Sequence, residues 1–282
     1  PSPCQFCYFK SVPGIRYDGW LLMGLPGAIY LSGLSEIWIA IGLIIGAWLN
    51  WLLVAGRLRV HTEVQHNALT LPDYFSNRFN DQRKILRIVS ACVILIFFAI
   101  YCASGMVAGA RLFESMFDLP YSTALWISAI ATISYVFIGG FLAVSWTDTI
   151  QAGLMIFALL LTPIITLLSF SDLSQVTLAL EAARPQALNL VGDLSWVAII
   201  SLMAWGLGYF GQPHILVRFM AVDSVKSIPN ARRIGMTWMT LCLGGAVAAG
   251  FFGIAYFQQH PELAGVVNAN PETVFMELTK IL

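Results

Sequence analysis

Charge is what this sequence has least of. Only 11% of its 282 residues are Asp, Glu, Lys or Arg, while 58% are hydrophobic and mean hydropathy is +0.77. Soluble domains carry about a quarter charged residues. A soluble fold of this length could not hide so much apolar surface, because part of every folded surface faces solvent. That excludes a soluble domain and points to the bilayer, whose tails are as apolar as the side chains. Neither sign is in surplus, with 15 basic against 15 acidic residues. Nothing in that total speaks for nucleic acid or an acidic surface as partner. No obligate protein partner is evident either.

Reactive sets are scarce as well. There are no paired carboxylates, no phosphate-binding loop and no Ser/His/Asp set, so an enzyme is not expected. His61, His66, His214 and His260 are scattered without ligand spacing, so neither a bound metal nor a cofactor is expected. Of five cysteines, Cys92, Cys102 and Cys242 lie in apolar runs, where a thiol acts as a small hydrophobe. Cys4 and Cys7 form one C-x-x-C with no second pair, a weak zinc or redox signal. No start methionine or signal peptide is visible, and the opening on Pro1 suggests a piece of a longer chain. No low-complexity linker marks a second, soluble domain.

What the sequence does have is long apolar runs. A spanning helix needs about 20 mainly apolar residues. Six runs are read as spans: Ile37 to Val54, Ile85 to Phe113, Ala124 to Val144, Ala152 to Ser169, Leu194 to Leu216, and Ile234 to Phe257. Gly19 to Leu31, with Pro26 inside, is a seventh, truncated run. Leu173 to Ala183 has the spacing of a short interfacial helix. Pro271 to Leu282 reads as an outer-surface helix capped by Asn270 with Pro271 in its first turn. Basic residues orient the set. Arg57, Arg59, Arg78, Arg83, Lys84 and Arg87 share one loop, and Arg218, Lys226, Arg232 and Arg233 another. Those alternate loops are cytoplasmic by the positive-inside rule, and the loop with Arg184 alone faces outward. The chain thus reads as an all-α polytopic membrane protein, with a core over residues 19–259 and an outer-surface segment at 260–282.

Three segments could carry chemistry. In Leu202 to His214, the residues Trp205, Tyr209 and Pro213 are spaced i, i+4, i+8 and share one helical face. Gly206, Gly208 and Gly211 lie among them. Glycines and a proline weaken the helix and leave backbone groups in need of partners, as where transporters bind substrate. The plainer alternative is that small residues merely allow close helix packing, and composition does not choose between the two. In Phe98 to Gly105, Tyr101 and Ser104 sit mid-span and need hydrogen-bond partners, which a neighbouring helix commonly supplies. In Gly139 to Gln151, Asp148 is an acid between two apolar runs. It is either a functional intramembrane acid or the cap of the following helix.

Together these segments resemble the sodium/solute symporter family, and within it the branch that carries proline. The resemblance runs from Gly19 onward through Gly19–Gly27, Val54–Thr62, Ala68–Tyr74, the Tyr101 segment, Gly139–Gln151 and Trp205–His214. It implies a leucine-transporter-like bundle of two inverted five-helix repeats, of which this chain holds the first repeat and the start of the second. It also implies sodium-coupled symport of L-proline into the cell, with sodium as the co-transported ion and the bilayer as surroundings. Carried over by position, it implies a proline site made by Gly19, Tyr101, Trp205, Tyr209 and Pro213, with Asp148 on the sodium pathway. A carrier of another small solute, or a symporter-like sensor module, is the alternative.

The pattern fails in one place. Where the family's sodium site reads A-S-D-M-S-G-W, this chain has Gly14-Ile15-Arg16-Tyr17-Asp18-Gly19-Trp20. Read one base later, possible codons for residues 14 to 19 can spell A-S-D-M-T-G. Residues 1–18 are therefore expected to be a frame-slipped translation, with Arg16 placing a cation where a sodium ligand belongs. On this reading the chain as written is incomplete and inactive.

Overall fold

The computed structural model describes residues 19–280 apart from 66, 171, 186, 193 and 223. The readings made for residues 1–18, for His66 and for the side chains at 139–145 lie outside the described residues.

All regular structure among the described residues is helical. A π-helical turn, Trp20–Gly24, leads into α1 (Leu25–Ser32). After a 3₁₀ turn at Gly33–Glu36 comes α2 (Ile37–Asn50), which continues through a π-helical stretch, Trp51–Ala55, into α3 (Gly56–Val64). Gly33 has φ of +78°, a conformation glycine adopts without strain, and Ala187 lies directly against its Cα. Next are α4 (Leu71–Arg78), α5 (Ile85–Phe117), α6 (Tyr121–Leu168) and α7 (Leu173–Ala183). The predicted span at 194–216 is broken into α8 (Trp196–Met203), a 3₁₀ stretch Ala204–Phe210 and α9 (Pro213–Met220). Then α10 (Ile228–Gln259), α11 (Ala264–Ala269), a 3₁₀ turn Pro271–Thr273 and α12 (Val274–Thr279) follow.

Among the described residues, four helical stretches are long and apolar enough to cross a bilayer: Trp20–Val64, Ile85–Phe117, Trp146–Leu168 and Val225–Gln259. On α5 and α6, Leu95, Phe97, Trp126 and Phe157 are each more than two-thirds exposed, an apolar surface of the kind that lipid or a further packed helix covers. At the centre lies α10, against α6, α1 and α7. Its small residues permit this, since a Cβ at Gly250 would sit 2.5 Å from the carbonyl oxygen of Pro26.

Caps explain several boundaries. Thr70 accepts from Asp73 N–H, Asp172 from Ser174 N–H, Ser195 from Ala198 N–H, and Asn270 from Glu272 N–H. Two differences from the sequence reading stand out. The polar stretch before Lys84 folds into α3 and α4, for which the Thr70 cap and Pro72 were an available signal. The runs at 124–144 and 152–169 are joined in one helix of 48 residues, because the linking residues contain no proline to break the ladder. At about 1.5 Å per residue α6 is roughly 70 Å long, about twice the hydrocarbon thickness.

The packing of α2 on the broken span agrees with the orientation read from the loops. Gly42 meets Met203, Gly46 meets Gly206, and Asn50 meets Tyr209, so the two segments run in the same direction. Four residues of α-helix and three of 3₁₀ helix both rise about 6 Å, which keeps the successive contacts in register.

Candidate substrate cavity

A cavity of about 520 Å³ opens between the Gly19 segment, α5, α6, α10 and α12. Its wall includes Gly19, Met23, Tyr101, Gly105, Gly109, Ser128, Thr132, Asp148, Gln151 and Trp238, with Phe275 and Met276 from α12. The lining is mainly apolar and aromatic with a few polar groups, the usual character of a small-molecule site.

Gly19 is placed by contact as much as by chemistry. A Cβ there would sit 2.5 Å from the Cβ of Ala108, so only glycine lets this segment close onto α5. Tyr101 projects from α5, where its ring stacks on His214 (centroids 5.7 Å apart, planes at 18°). Phe98 meets the same imidazole edge-on at 5.7 Å. His214 adjoins Pro213, which opens α9. Tyr101 is thereby tied to the broken span although the two lie more than a hundred residues apart.

Three residues of the predicted face do not line the cavity wall. The indole of Trp205 stacks on Trp20, with centroids 5.3 Å apart and planes at 27°, beside Gly19. Tyr209 is buried, and its carbonyl accepts a hydrogen bond from Asn50 Nδ2 at 2.9 Å. Pro213 is linked to the wall through its neighbour His214, which stacks on Tyr101. The glycines between these residues serve packing as well as breakage. A side chain at Gly206 would run into the carbonyl of Gly42, and one at Gly46 into the carbonyl of Gly206. The helix does break here, and its small residues bring it close to α2.

Asp148 lies inside α6 and not at a helix start, so the capping alternative is set aside. Its Oδ2 pairs with Arg218 Nη2 at 2.7 Å, both side chains being largely buried. Trp238 fixes α10 beside it by donating to the Ala152 carbonyl at 3.1 Å. Arg218, Trp20, Asn50 and His214 were not assigned roles from sequence. Asn50 was the most findable, as the lone amide in its apolar run. Among the described residues no group of three or more His, Cys, Asp or Glu gathers as a metal site would require.

Residues 10–282 match the sodium:solute symporter family. The chain belongs to that family. Among curated relatives, a sodium/proline symporter of Escherichia coli (strain K12) is 67% identical over 265 residues, covering 94% of this chain and 53% of the relative. A sodium/proline symporter of Haemophilus influenzae is 64% identical over 282 residues, 99% of this chain and 56% of the relative. The high-affinity proline transporter PutP of Bacillus subtilis (strain 168) is 51% identical over 94% of this chain and 55% of its own length. The chain spans about half the length of the symporters it matches. Family membership and the fold agree on an all-α polytopic membrane protein.

Proposed function

We propose that this chain builds the substrate cavity of a sodium-coupled symporter carrying L-proline into the cell across a bacterial inner membrane. The observation that carries the proposal is the aromatic-walled cavity at Gly19 and Tyr101, with the Trp20–Trp205 stack at its side. Three relatives named for proline transport, at 51–67% identity, support the choice of solute. Proline offers an apolar ring, a secondary ammonium and a carboxylate. Aromatic faces suit the first two, by packing and by cation–π attraction. Backbone N–H groups freed where the helix departs from α geometry suit the third.

In this proposal Tyr101, Trp205, Tyr209 and Pro213 form the proline site with Gly19, and Asp148 handles sodium on its way inward. The helices belong to a leucine-transporter-like bundle of two inverted repeats. Residues 1–18 are a frame-slipped stretch standing in for A-S-D-M-T-G. Gene codons unable to spell that run in the shifted frame would end this part of the proposal.

The pocket is tested by mutation in a hybrid, with residues 19–282 replacing the matching half of the E. coli symporter. Trp205→Ala, which removes a large aromatic face, is expected to raise the half-saturating proline concentration about a hundredfold. Trp205→Phe should cost about tenfold or less. An unchanged value for Trp205→Ala, or a hybrid that prefers another solute, would overturn the pocket as drawn.

A further inference from the structure

Arg59, on α3, is a cation withdrawn from water, only 9% exposed. A buried charge is costly unless its hydrogens find partners. Its Nη1 donates to the Met220 carbonyl at 2.8 Å and to Asn67 Oδ1 at 2.9 Å. Its Nη2 pairs with Glu63, one turn along α3, at 3.1 Å. Asn67 takes a φ of +54°, a left-handed conformation that asparagine tolerates, between α3 and α4.

Met220 is the partner that matters for the cavity, because it closes α9. The last carbonyls of a helix lack partners within it and form the negative end of its dipole. A guanidinium placed there satisfies one carbonyl and is attracted by the others. Phe219 and Met220 are fully buried, and the Phe219 ring packs on Trp51 at 4.6 Å, just ahead of α3.

Such contacts are needed to locate α9. It has eight residues, too few for a helix to persist alone. Gln212 before it is extended (φ −76°, ψ 111°), and no side chain caps its first turn. The helix is therefore a separate rod, placed by what grips it. Arg59 grips its end, and Arg218 on the same rod pairs at 2.7 Å with Asp148 of the cavity wall.

We infer that Arg59 is a clamp on the end of α9 and, through it, a positioning residue for the Arg218–Asp148 pair. By fixing Met220 to α3 it keeps Arg218 at the acid. The Trp205–Tyr209 stretch is held separately, against Gly42, Gly46 and Asn50 of α2. The effect on Asp148 rests on the reading of that acid as the group that meets sodium, whereas the clamp can be tested without it.

Arg59→Met keeps the length of the side chain and removes its charge. Val222, 1% exposed and just past α9, is replaced by cysteine in a hybrid otherwise free of cysteine. Labelling by a charged maleimide is timed in inside-out vesicles. Arg59→Met is expected to raise the rate at Val222→Cys about tenfold or more, as α9 leaves α3. Ala231→Cys, fully buried near the start of α10, reports general loosening and should change about twofold or less. In uptake, the Asp148 carboxylate released by Arg218 should lower the half-saturating sodium concentration about fivefold. The half-saturating proline concentration should stay within about twofold. Arg59→Lys keeps a charge but not the fork that serves Met220, Asn67 and Glu63, and should show the same changes in smaller measure. Unchanged labelling at Val222, or equal rises at Val222 and Ala231, would overturn the inference, as would failure of both Arg59 variants to fold. Faster labelling at Val222 with sodium dependence unmoved leaves the clamp standing and overturns the role given to Asp148.

Discussion

Gly206→Leu is expected to leave no folded carrier. At this residue the 3₁₀ stretch crosses α2 backbone to backbone, and a Cβ would run into the Gly42 carbonyl. Nothing there is the far end of a flexible side chain that could swing aside. Inserting side chains into a packed core typically costs about 1–3 kcal/mol, and more where only backbone could yield. Helices in lipid are held by close packing, with no hydrophobic drive to compensate a widened gap. Loss of the contact would also withdraw Tyr209 from Asn50. The check is the yield of monodisperse protein extracted from membranes, expected to fall to background for Gly206→Leu and to stay substantial for Gly211→Ala. The latter position has open space around its would-be Cβ. Normal yield of Gly206→Leu would contradict the packing described for α2.

The Asp148–Arg218 pair is expected to separate structure from transport. Both side chains are largely withdrawn from solvent, at 12% and 21% exposure, and their nitrogen and oxygen are 2.7 Å apart. Removing one partner of a buried pair strands the other charge, at a cost of about 3–5 kcal/mol. Asp148→Asn should therefore reduce both folded yield and sodium-driven uptake, the latter by about a hundredfold or more. Asp148→Asn combined with Arg218→Gln removes both charges while keeping groups that can hydrogen-bond. That double variant is expected to recover folded yield but not sodium-driven uptake, because the carboxylate itself is proposed to meet the ion. Recovery of both would leave Asp148 a structural residue only.

Much of the architecture could be read from hydrophobic runs. Leu173–Ala183 folds with the bounds expected from its spacing, and Asn270 caps the turn at Pro271 as its residue type suggests. The break at 204–210 was readable because glycine and proline act locally. The continuity of α6 was not readable. The charged and hydroxyl residues around Asp148 look like an interface in a hydropathy window, yet Thr and Asp are tolerated inside a helix. The helices before Lys84 were hidden by their polarity, since α3 continues α2 with no cap of its own and α4 is recognisable by the Thr70 cap and not by apolar length.

The site shows the same division. Trp205, Tyr209 and Pro213 could be grouped from their spacing, which is a property of one segment. Their contacts could not, because Trp20, Asn50 and Tyr101 come from other elements. The 3₁₀ geometry also departs from the 3.6-residue period on which the shared face was argued. That is why these residues touch Trp20, Asn50 and the Tyr101–His214 stack severally and do not line one continuous wall. Arg218 was legible as a cytoplasmic cation, but only the fold brings it to an acid seventy residues earlier.

The most direct measurement is the initial rate of labelled proline uptake by cells lacking their own proline carrier and expressing the hybrid that contains residues 19–282. An inward sodium gradient is compared with an equal choline gradient. Uptake that needs sodium, saturates with proline and falls with Trp205→Ala is the predicted result. Equal uptake under both gradients, or uptake indifferent to Trp205, would contradict the account of this cavity as a sodium-coupled proline site.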